Sequence, residues 1–266
     1  ALKYPEENPF ERTLFPKQIK NIDFDEHYPY IDDSIKYQLN LLWGYYLVVH
    51  IILRLKLRIQ MGLRIRGREI LKKYKSELKQ GAITICNHVY RLDCPCVLIA
   101  VRGLHTTRVP MFAPNFRTKD GFFMRLAGGV PIPDSTTNMS ALKKFNEAFD
   151  EFHRRGWWFH IFPEACRWDF YKPLRPFQKG AFTMSYKYNK PLLPCVITYR
   201  ERKGIFRLFG PKDLPLLTIT IGEPILPDTT QPRKTEVERL RQVAHNQMTE
   251  MAGITHNPWP ASWGNL

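Results

Sequence analysis

Short strand-like runs alternate with helical patterns along most of the chain after residue 60. Strand patterns stand at 62–66, 82–86, 108–113, 130–132, 157–162, 192–199 and 217–221. Helical patterns stand at 94–102, 122–127, 138–155, 177–188 and 235–251. The clearest of these, 138–155, repeats its apolar residues at helical spacing and is followed by Gly156 as a stop signal. Strands that alternate with helices predict βαβ units, so we expect an α/β fold with a mostly parallel central sheet flanked by helices.

The first 57 residues have a different pattern. Residues 1–34 are irregular and contain four prolines, whereas 35–57 form an apolar helical segment. Its most apolar part is the 15-residue run LNLLWGYYLVVHIIL at 39–53. This run is shorter than the roughly 20 apolar residues that a membrane-spanning helix needs. We predict an N-terminal arm with a membrane-associating helical segment over 1–57 and a single α/β domain over 58–266.

Positive charge is concentrated directly after the apolar segment. The chain carries a formal net charge of +15, and residues 54–79 contain ten Lys or Arg against two Glu. An apolar helix beside a basic stretch is typical of a protein that lies on an anionic membrane, here at the cytoplasmic face. The alternative is a buried core helix followed by a solvated strand. Nucleic acid is not an expected partner, because the sequence has no recognition-helix, zinc-finger or RNA-binding motif.

Composition narrows the class of protein further. The chain has 266 residues, and 13% of them are aromatic, which excludes a disordered protein. Its five cysteines are not spaced as a disulfide framework, which favours a reducing compartment. Cys94 and Cys96 look like half of a zinc site, but no second Cys/His pair accompanies them. We therefore expect no metal and no cofactor.

The first candidate for catalysis follows the strand at 82–86. His88 lies just past the carboxyl end of this strand, where ligands bind in open α/β sheets. Asp93 stands five residues later, and on one continuous helix the two side chains would point about 140° apart. Pro95 suits a first helical turn and Asp93 suits the N-cap, so a turn can bring Asp93 to His88 Nδ1 and leave Nε2 as a general base. The alternative is a loop histidine beside an ordinary N-cap aspartate.

A second polar group follows the strand at 157–162. Glu164 and Arg167 come directly after Pro163 and should project from the same sheet edge as His88. Arg167 could hold a phosphate through its planar fork, or it could form a surface ion pair with Glu164 or Asp169.

Together these motifs resemble the glycerolipid acyltransferase family, which includes the lysophosphatidic acid acyltransferases and to which tafazzin is similar. Its four blocks have counterparts in the same order, at 87–93 (N-H-x4-D), 128–134, 162–167 (F-P-E) and 191–196. The similarity extends from about residue 60 to residue 228.

The resemblance implies an enzyme with a defined chemistry. His88 would remove the proton from an acceptor hydroxyl while Asp93 orients the imidazole, without a covalent enzyme intermediate. The donor would be acyl-CoA or acyl carrier protein, and the acceptor a lysophospholipid, above all 1-acyl-glycerol-3-phosphate. Glu164 and Arg167 would contact the acceptor. Arg175 and Lys179 are further candidates for its phosphate, and the alternative for these two is a solvated basic face.

Two residues depart from the family pattern. Asp134 replaces the arginine that usually ends the second block, which puts phosphate binding by that block in doubt. Ala165 replaces the glycine that usually follows the glutamate, so we expect no left-handed backbone there. Two other interpretations remain open at this point: a non-catalytic basic protein that binds anionic lipid or nucleic acid, and a thioester hydrolase that uses Cys166.

Overall fold

A seven-stranded sheet forms the centre of the protein. The computed structural model describes residues 3–101, 106–134 and 138–263. The strands found there are β1 (Arg64–Arg66), β2 (Ile83–Cys86), β3 (Thr107–Phe112), β4 (Gly129–Ile132), β5 (Trp158–Ile161), β6 (Leu192–Arg200) and β7 (Leu216–Ile221). Their order is β1-β7-β6-β2-β5-β3-β4, and every neighbouring pair is parallel except β6 and β7. The predicted α/β fold with a mostly parallel sheet is confirmed.

Helices cover both faces of this sheet. They are α1 (Ile35–Trp43), a π-helix (Gly44–Leu53), α2 (Arg54–Gln60), α3 (Arg68–Lys73), α4 (Asp93–Val101), α5 (Gly121–Leu126), α6 (Met139–Arg154), α7 (Gly180–Tyr188) and α8 (Arg233–Met251). On one face, α4 and the N-terminal helices pack against alternate strand residues such as Cys86 and Cys195. On the other face, α6, α7 and α8 pack against Ile83 and Ile85. The period-two alternation of the strands therefore produces two separate hydrophobic cores.

The helical segments from Ile35 to Gln60 form one continuous helix of 26 residues, which we call the N-terminal helix. It is longer than the apolar run indicated, and by length and composition alone it could cross a membrane. The N-terminal helix packs along the domain through buried residues spaced four or eight positions apart, namely Leu41, Tyr45, Val49 and Leu57. Its outer face exposes large apolar side chains: Ile35, Leu39, Trp43, Tyr46, Leu47, Ile51, Ile52, Leu55 and Ile59.

One close contact fixes the N-terminal helix against the domain. A Cβ atom added to Gly44 would lie 2.6 Å from Leu126 Cβ, so only glycine permits the observed approach of the N-terminal helix to α5.

The N-terminal arm packs against the loop that follows β5. Tyr4 donates a hydrogen bond to the carbonyl of Asp169 at 2.6 Å, and the indole of Trp168 donates to the carbonyl of Glu11 at 2.9 Å. Trp168 is fully buried. The arm is therefore in direct contact with the segment that carries the second candidate motif.

Candidate active site

The two predicted catalytic residues are hydrogen-bonded to each other. β2 ends at Cys86, His88 lies in the following loop, and Asp93 begins α4. His88 Nδ1 lies 2.7 Å from Asp93 Oδ2. An ionised carboxylate can only accept, so Nδ1 carries the proton and Nε2 keeps its lone pair. The turn expected from Asp93 and Pro95 thus brings the two side chains together and leaves the lone pair on His88 Nε2, which is the tautomer that a general base needs.

Asp93 also organises the loop that carries His88. Its buried carboxylate accepts hydrogen bonds from three backbone N–H groups: Val89 at 3.1 Å, Tyr90 at 3.3 Å and Cys94 at 2.8 Å. Four donors surround one carboxylate, and hydrogen bonds to a charged group are stronger than neutral ones. Asp93 therefore holds both the ring and the backbone around it.

The imidazole of His88 is fixed from one side and open to solvent elsewhere. It stacks on Phe162, with ring centroids 4.0 Å apart and planes at 14°. The side chain keeps 22% of its surface exposed. A ring held by a carboxylate and an aromatic face, with exposed surface remaining, can meet a substrate hydroxyl.

Asn87 positions the same loop, a role that the sequence analysis did not assign. Its Nδ2 donates to the carbonyl of Ile197 at 3.0 Å, and its Oδ1 accepts from the N–H of Ile197 at 2.8 Å. This buried side chain therefore replaces a strand residue and joins the loop after β2 to β6. The asparagine of the first block was the available signal.

Glu164 is buried and contacts the backbone of His88. Its Oε2 accepts from the His88 N–H at 2.9 Å, and its Oε1 accepts from the Arg175 N–H at 2.9 Å. The Arg175 guanidinium adds a hydrogen bond to Oε2 at 3.1 Å. Both side chains are almost fully buried. The contacts of Glu164 are therefore with the backbone of His88 and with Arg175, and its predicted contact with the acceptor stays a prediction.

Arg175 lies inside the protein. Its Nη1 donates to the carbonyl of Pro9 at 2.7 Å, and its guanidinium lies 4.4 Å from the centre of the Trp168 ring. The side chain has no exposed surface. The structure therefore places Arg175 away from solvent, where its guanidinium joins the N-terminal arm to the Glu164 loop, and phosphate binding by Arg175 is not proposed below.

The other two phosphate candidates lie outside this buried network. Arg167 Nε pairs with Asp169 Oδ1 at 2.9 Å, and its side chain is 29% exposed. Of the two acidic partners considered for Arg167, Asp169 forms the ion pair. Lys179 is exposed at the start of α7, and its ammonium group makes no hydrogen bond or ion pair within the described residues. Both cations remain accessible to a phosphate.

Both departures from the family pattern have a structural outcome. Ala165 adopts φ 63°, so the expectation that alanine excludes a left-handed backbone here was wrong. The turn is held by hydrogen bonds on either side, from the Ala165 N–H to Phe162 and from the Cys166 N–H to Glu164. Asp134 forms a bidentate pair with Arg117, one bond of which measures 2.7 Å. An arginine from another loop thus accompanies the aspartate that replaces the usual arginine.

Cys166 has no geometry for nucleophilic catalysis. Its thiol is buried and lies 3.3 Å from the carbonyl of Glu11, and it accepts a hydrogen bond from Arg175 Nη1 at 3.1 Å. No histidine contacts it within the described residues, so an activating base is not in place. The same part of the chain contains no group of three or more His, Cys, Asp or Glu side chains that could hold a metal ion.

A second histidine, His160, contacts the Phe162 ring on which His88 stacks. His160 is fully buried, its Nδ1 lies 2.9 Å from Thr84 Oγ1, and its ring contacts Phe162 edge-on with centroids 4.4 Å apart. Burial lowers the pKa of His160 to about 4. A neutral imidazole therefore lies behind the Phe162 ring on which His88 stacks.

This burial predicts a pH-dependent stability. Unfolding returns the pKa of His160 from about 4 to its ordinary 6.5, so the unfolded chain binds the extra proton between these values. The stabilisation is complete above pH 6.5 and is lost as the pH falls to 4, by about 3 kcal/mol in total. Denaturant unfolding measured across this range should show a flatter pH dependence in His160→Asn, while the exposed His27→Asn should keep the wild-type slope. Equal slopes in all three proteins would contradict the assignment.

Comparison with known proteins identifies the family. A family model described as Acyltransferase matches residues 62–198, more than half of the chain. This chain belongs to the acyltransferase family. The family predicted from the four motifs is confirmed, and His88, Asp93 and Glu164 all lie within the matched region. Among curated protein sequences, none matches the chain significantly.

A solved structure shares the fold of this acyltransferase. The chain is similar to the crystal structure of the 1-acyl-sn-glycerophosphate (LPA) acyltransferase PlsC from Thermotoga maritima, with a TM-score of 0.51 and 17% sequence identity. The similarity covers 84% of this chain and 91% of that chain. At this identity the match establishes a common fold.

Proposed function

We propose that this acyltransferase moves a fatty acyl group from a thioester to the hydroxyl of a lysophospholipid. The donor is acyl-CoA or acyl carrier protein, and the proposed acceptor is 1-acyl-glycerol-3-phosphate, which gives phosphatidic acid. The observation that carries the proposal is the His88–Asp93 pair, with a lone pair on Nε2 at a partly exposed position. The fold shared with PlsC, whose name states an acylglycerophosphate acceptor, supports the choice of acceptor.

The proposed reaction is a single direct transfer. His88 Nε2 takes the proton of the acceptor hydroxyl as its oxygen attacks the thioester carbonyl. Asp93 keeps the ring in the reactive tautomer and stabilises the imidazolium that forms. The attack forms the carbon–oxygen bond of the new ester. When the tetrahedral intermediate collapses, the carbon–sulfur bond breaks, and the leaving thiolate receives the proton from His88.

The proposal is tested by acyl transfer with the purified protein. Acyl-CoA and acyl carrier protein are each supplied as donor, with a panel of lysophospholipids that differ in head group. We expect ester formation with 1-acyl-glycerol-3-phosphate to exceed that with the other acceptors. Thioester cleavage without any ester product would instead indicate a hydrolase.

Arg167 is proposed to bind the acceptor phosphate, with Lys179 as the second cation. Arg167→Ala should raise the acceptor KM about tenfold and change kcat little, because it removes an interaction present in both the ground state and the transition state. Arg167→Lys should restore only part of the affinity, since a point charge cannot replace a bidentate fork. Steady-state kinetics at saturating donor measures both constants. Arg154→Ala, which removes a surface ion pair with Glu151, is the matched control. An unchanged acceptor KM would remove Arg167 from the phosphate site.

We further propose that the outer face of the N-terminal helix lies in the cytoplasmic surface of a membrane. One face of the N-terminal helix packs against the domain along its length. The opposite face keeps its apolar side chains exposed and available to a bilayer. All five cysteines are free, which supports a reducing compartment.

Substitutions on that face provide a test that leaves the N-terminal arm intact. Ile51→Ser/Ile52→Ser should weaken binding to phospholipid vesicles at least about tenfold, because two exposed side chains no longer enter the apolar layer. Vesicle flotation measures the bound fraction. Met139→Ser/Leu226→Ser, which alters two exposed apolar residues elsewhere, should bind as the wild type does. Equal binding by all three proteins would exclude the helix as the membrane contact.

A further inference from the structure

A cavity lined by arginines opens beside the N-terminal helix. It lies between α2, β1 and α4 and has a volume of about 390 Å³. Five arginines line it: Arg54, Arg58, Arg64, Arg66 and Arg68. We call it the arginine cavity. Such a density of guanidinium groups favours phosphate, which they can bind through paired hydrogen bonds.

Four of the five arginines in this cavity form no ion pair with the part of the chain that the structure describes. Within the described residues, no carboxylate forms an ion pair with Arg54, Arg58, Arg64 or Arg66. Arg200 is close enough that Arg64 and Arg66, after the larger effect of burial, lower its pKa. Cations that crowd together without an anion are stabilised when a ligand supplies one.

Part of the cavity wall is rigidly built. Arg68 donates from Nε to the carbonyl of Ala100 at 3.1 Å and from Nη2 to the carbonyl of Ile99 at 2.9 Å. These carbonyls belong to the last turn of α4, where a cation is favoured by the helix dipole. Arg68 therefore fixes β1 and α3 to α4 and shapes the cavity without depending on a ligand.

An apolar groove adjoins the arginine cavity. This second cavity has a volume of about 330 Å³ and is lined by Leu55, Arg58, Ile59, Ile205, Phe206 and Phe209. Arg58 lines both cavities, so they are neighbours. The groove continues into exposed apolar surface, where Leu208 keeps 79% of its surface exposed. A phosphate site beside an apolar groove matches one phospholipid molecule, with its head group in the first and an acyl chain in the second.

The arginine cavity is separate from the catalytic site. β1 is an edge strand, and β7 and β6 lie between it and β2, whose following loop carries His88. Three strand spacings correspond to about 14 Å across the sheet. A lipid in the arginine cavity would therefore not be the acceptor at His88.

We propose that the arginine cavity and the apolar groove bind one molecule of an anionic glycerophospholipid from the bilayer. This lipid is not a substrate; it holds the domain against the membrane at the carboxyl-terminal end of the N-terminal helix. The exposed apolar rim favours a lipid over a nucleic acid, which would leave Ile205 and Leu208 in water. It also favours a bilayer lipid over a free phosphate ester, which would leave the groove empty.

The main test compares two variants that remove equal charge. Arg54→Gln/Arg58→Gln/Arg64→Gln empties the cavity of three cations but keeps Arg68. Lys143→Gln/Arg233→Gln/Lys234→Gln removes three exposed cations from α6 and α8, on the opposite face of the sheet. Binding is measured by flotation with vesicles of phosphatidylcholine containing phosphatidylglycerol, and with vesicles of phosphatidylcholine alone.

The two variants should differ strongly. Each cation at an anionic surface contributes about a fivefold change in affinity, so the cavity variant should bind the anionic vesicles about 100-fold more weakly. The control should lose less than about threefold. Its cations are on α6 and α8, on the other face of the sheet, and salt screens charges that are more than about 8 Å from an anionic surface. An equal loss in both variants would show a diffuse charge effect and overturn the site. Single Arg58→Gln, with an expected loss of about fivefold, keeps the test valid if the triple variant fails to fold.

Two further arms identify the ligand. Phe209→Ser should weaken binding to the anionic vesicles about tenfold, because the acyl chain loses its apolar contact. Wild-type binding by this variant would overturn the acyl-chain assignment. Soluble glycerol 3-phosphate or coenzyme A, each at about 10 mM, should not release the wild type from vesicles at constant ionic strength. Release by either would assign the cavity to a free phosphate ester. None of these measurements uses acyl transfer, so their outcome does not depend on the proposed reaction.

Discussion

His88→Ala is expected to lower kcat/KM for acyl transfer by about 10²–10⁴-fold, the usual contribution of a general base. The fold should remain, since the His88 side chain is partly exposed and its backbone contact to Glu164 is retained. Asp93→Asn should also lose most of the activity, because an amide can donate to Nδ1 and favour the unreactive tautomer. It should destabilise the loop as well, because the buried group would no longer attract four donors as an anion.

Kinetics and folding must be measured together to separate these effects. Near-UV circular dichroism and thermal unfolding should show a native His88→Ala protein. The exposed His27→Ala is the matched control and should keep full activity. A His88→Ala enzyme with wild-type kcat/KM would exclude the proposed mechanism, whatever the behaviour of Asp93→Asn.

Breaking the buried Glu164–Arg175 pair is expected to have the largest effect on stability. Either Glu164→Gln or Arg175→Met should lower the free energy of unfolding by about 3–5 kcal/mol, because each leaves a buried charge without its partner. This is a large share of the roughly 5–15 kcal/mol that stabilises a typical domain. Activity should fall too, since Glu164 holds the backbone N–H of His88.

The double variant distinguishes a paired role from two separate ones. Glu164→Gln/Arg175→Met should be more stable than the sum of the single losses predicts, because neither residue then leaves an unpaired charge. Denaturant unfolding gives the coupling energy. The exposed pair Lys144–Glu147, altered in the same way, should change stability by less than about 1 kcal/mol. Strict additivity at Glu164 and Arg175 would contradict a direct pair.

The positioning role of Glu164 also has a kinetic signature. If Glu164 acts through His88, Glu164→Gln should lower kcat more than it raises the acceptor KM. A substrate contact, as the family resemblance implied, would instead raise the acceptor KM with little change in kcat. Arg167→Ala and Glu164→Gln should thus have opposite kinetic profiles, although both residues belong to one short motif.

Local signals in the sequence were sufficient where neighbouring residues determine the structure. Apolar periodicity predicted the strands and the long helix α6, because periods of 2.0 and 3.6 are properties of the local backbone. The same holds for His88 and Asp93, since a turn of five residues decides whether they meet. The helix α3 was missed, because its six residues are mostly charged or β-branched and lack a complete helical repeat.

The sequence by itself thus determined the α/β fold, the acyltransferase family and the candidate catalytic pair His88 and Asp93. The tertiary structure alone decided the order of strands, the antiparallel β7, the burial of Arg175 and the pairing of Asp134 with Arg117. It also brought five arginines from the N-terminal helix, β1 and α3 to one cavity. The physical reason is the same in each case. The sequence does not show whether a charged residue is buried or solvated. Its partners are set by the packing of segments that are distant along the chain.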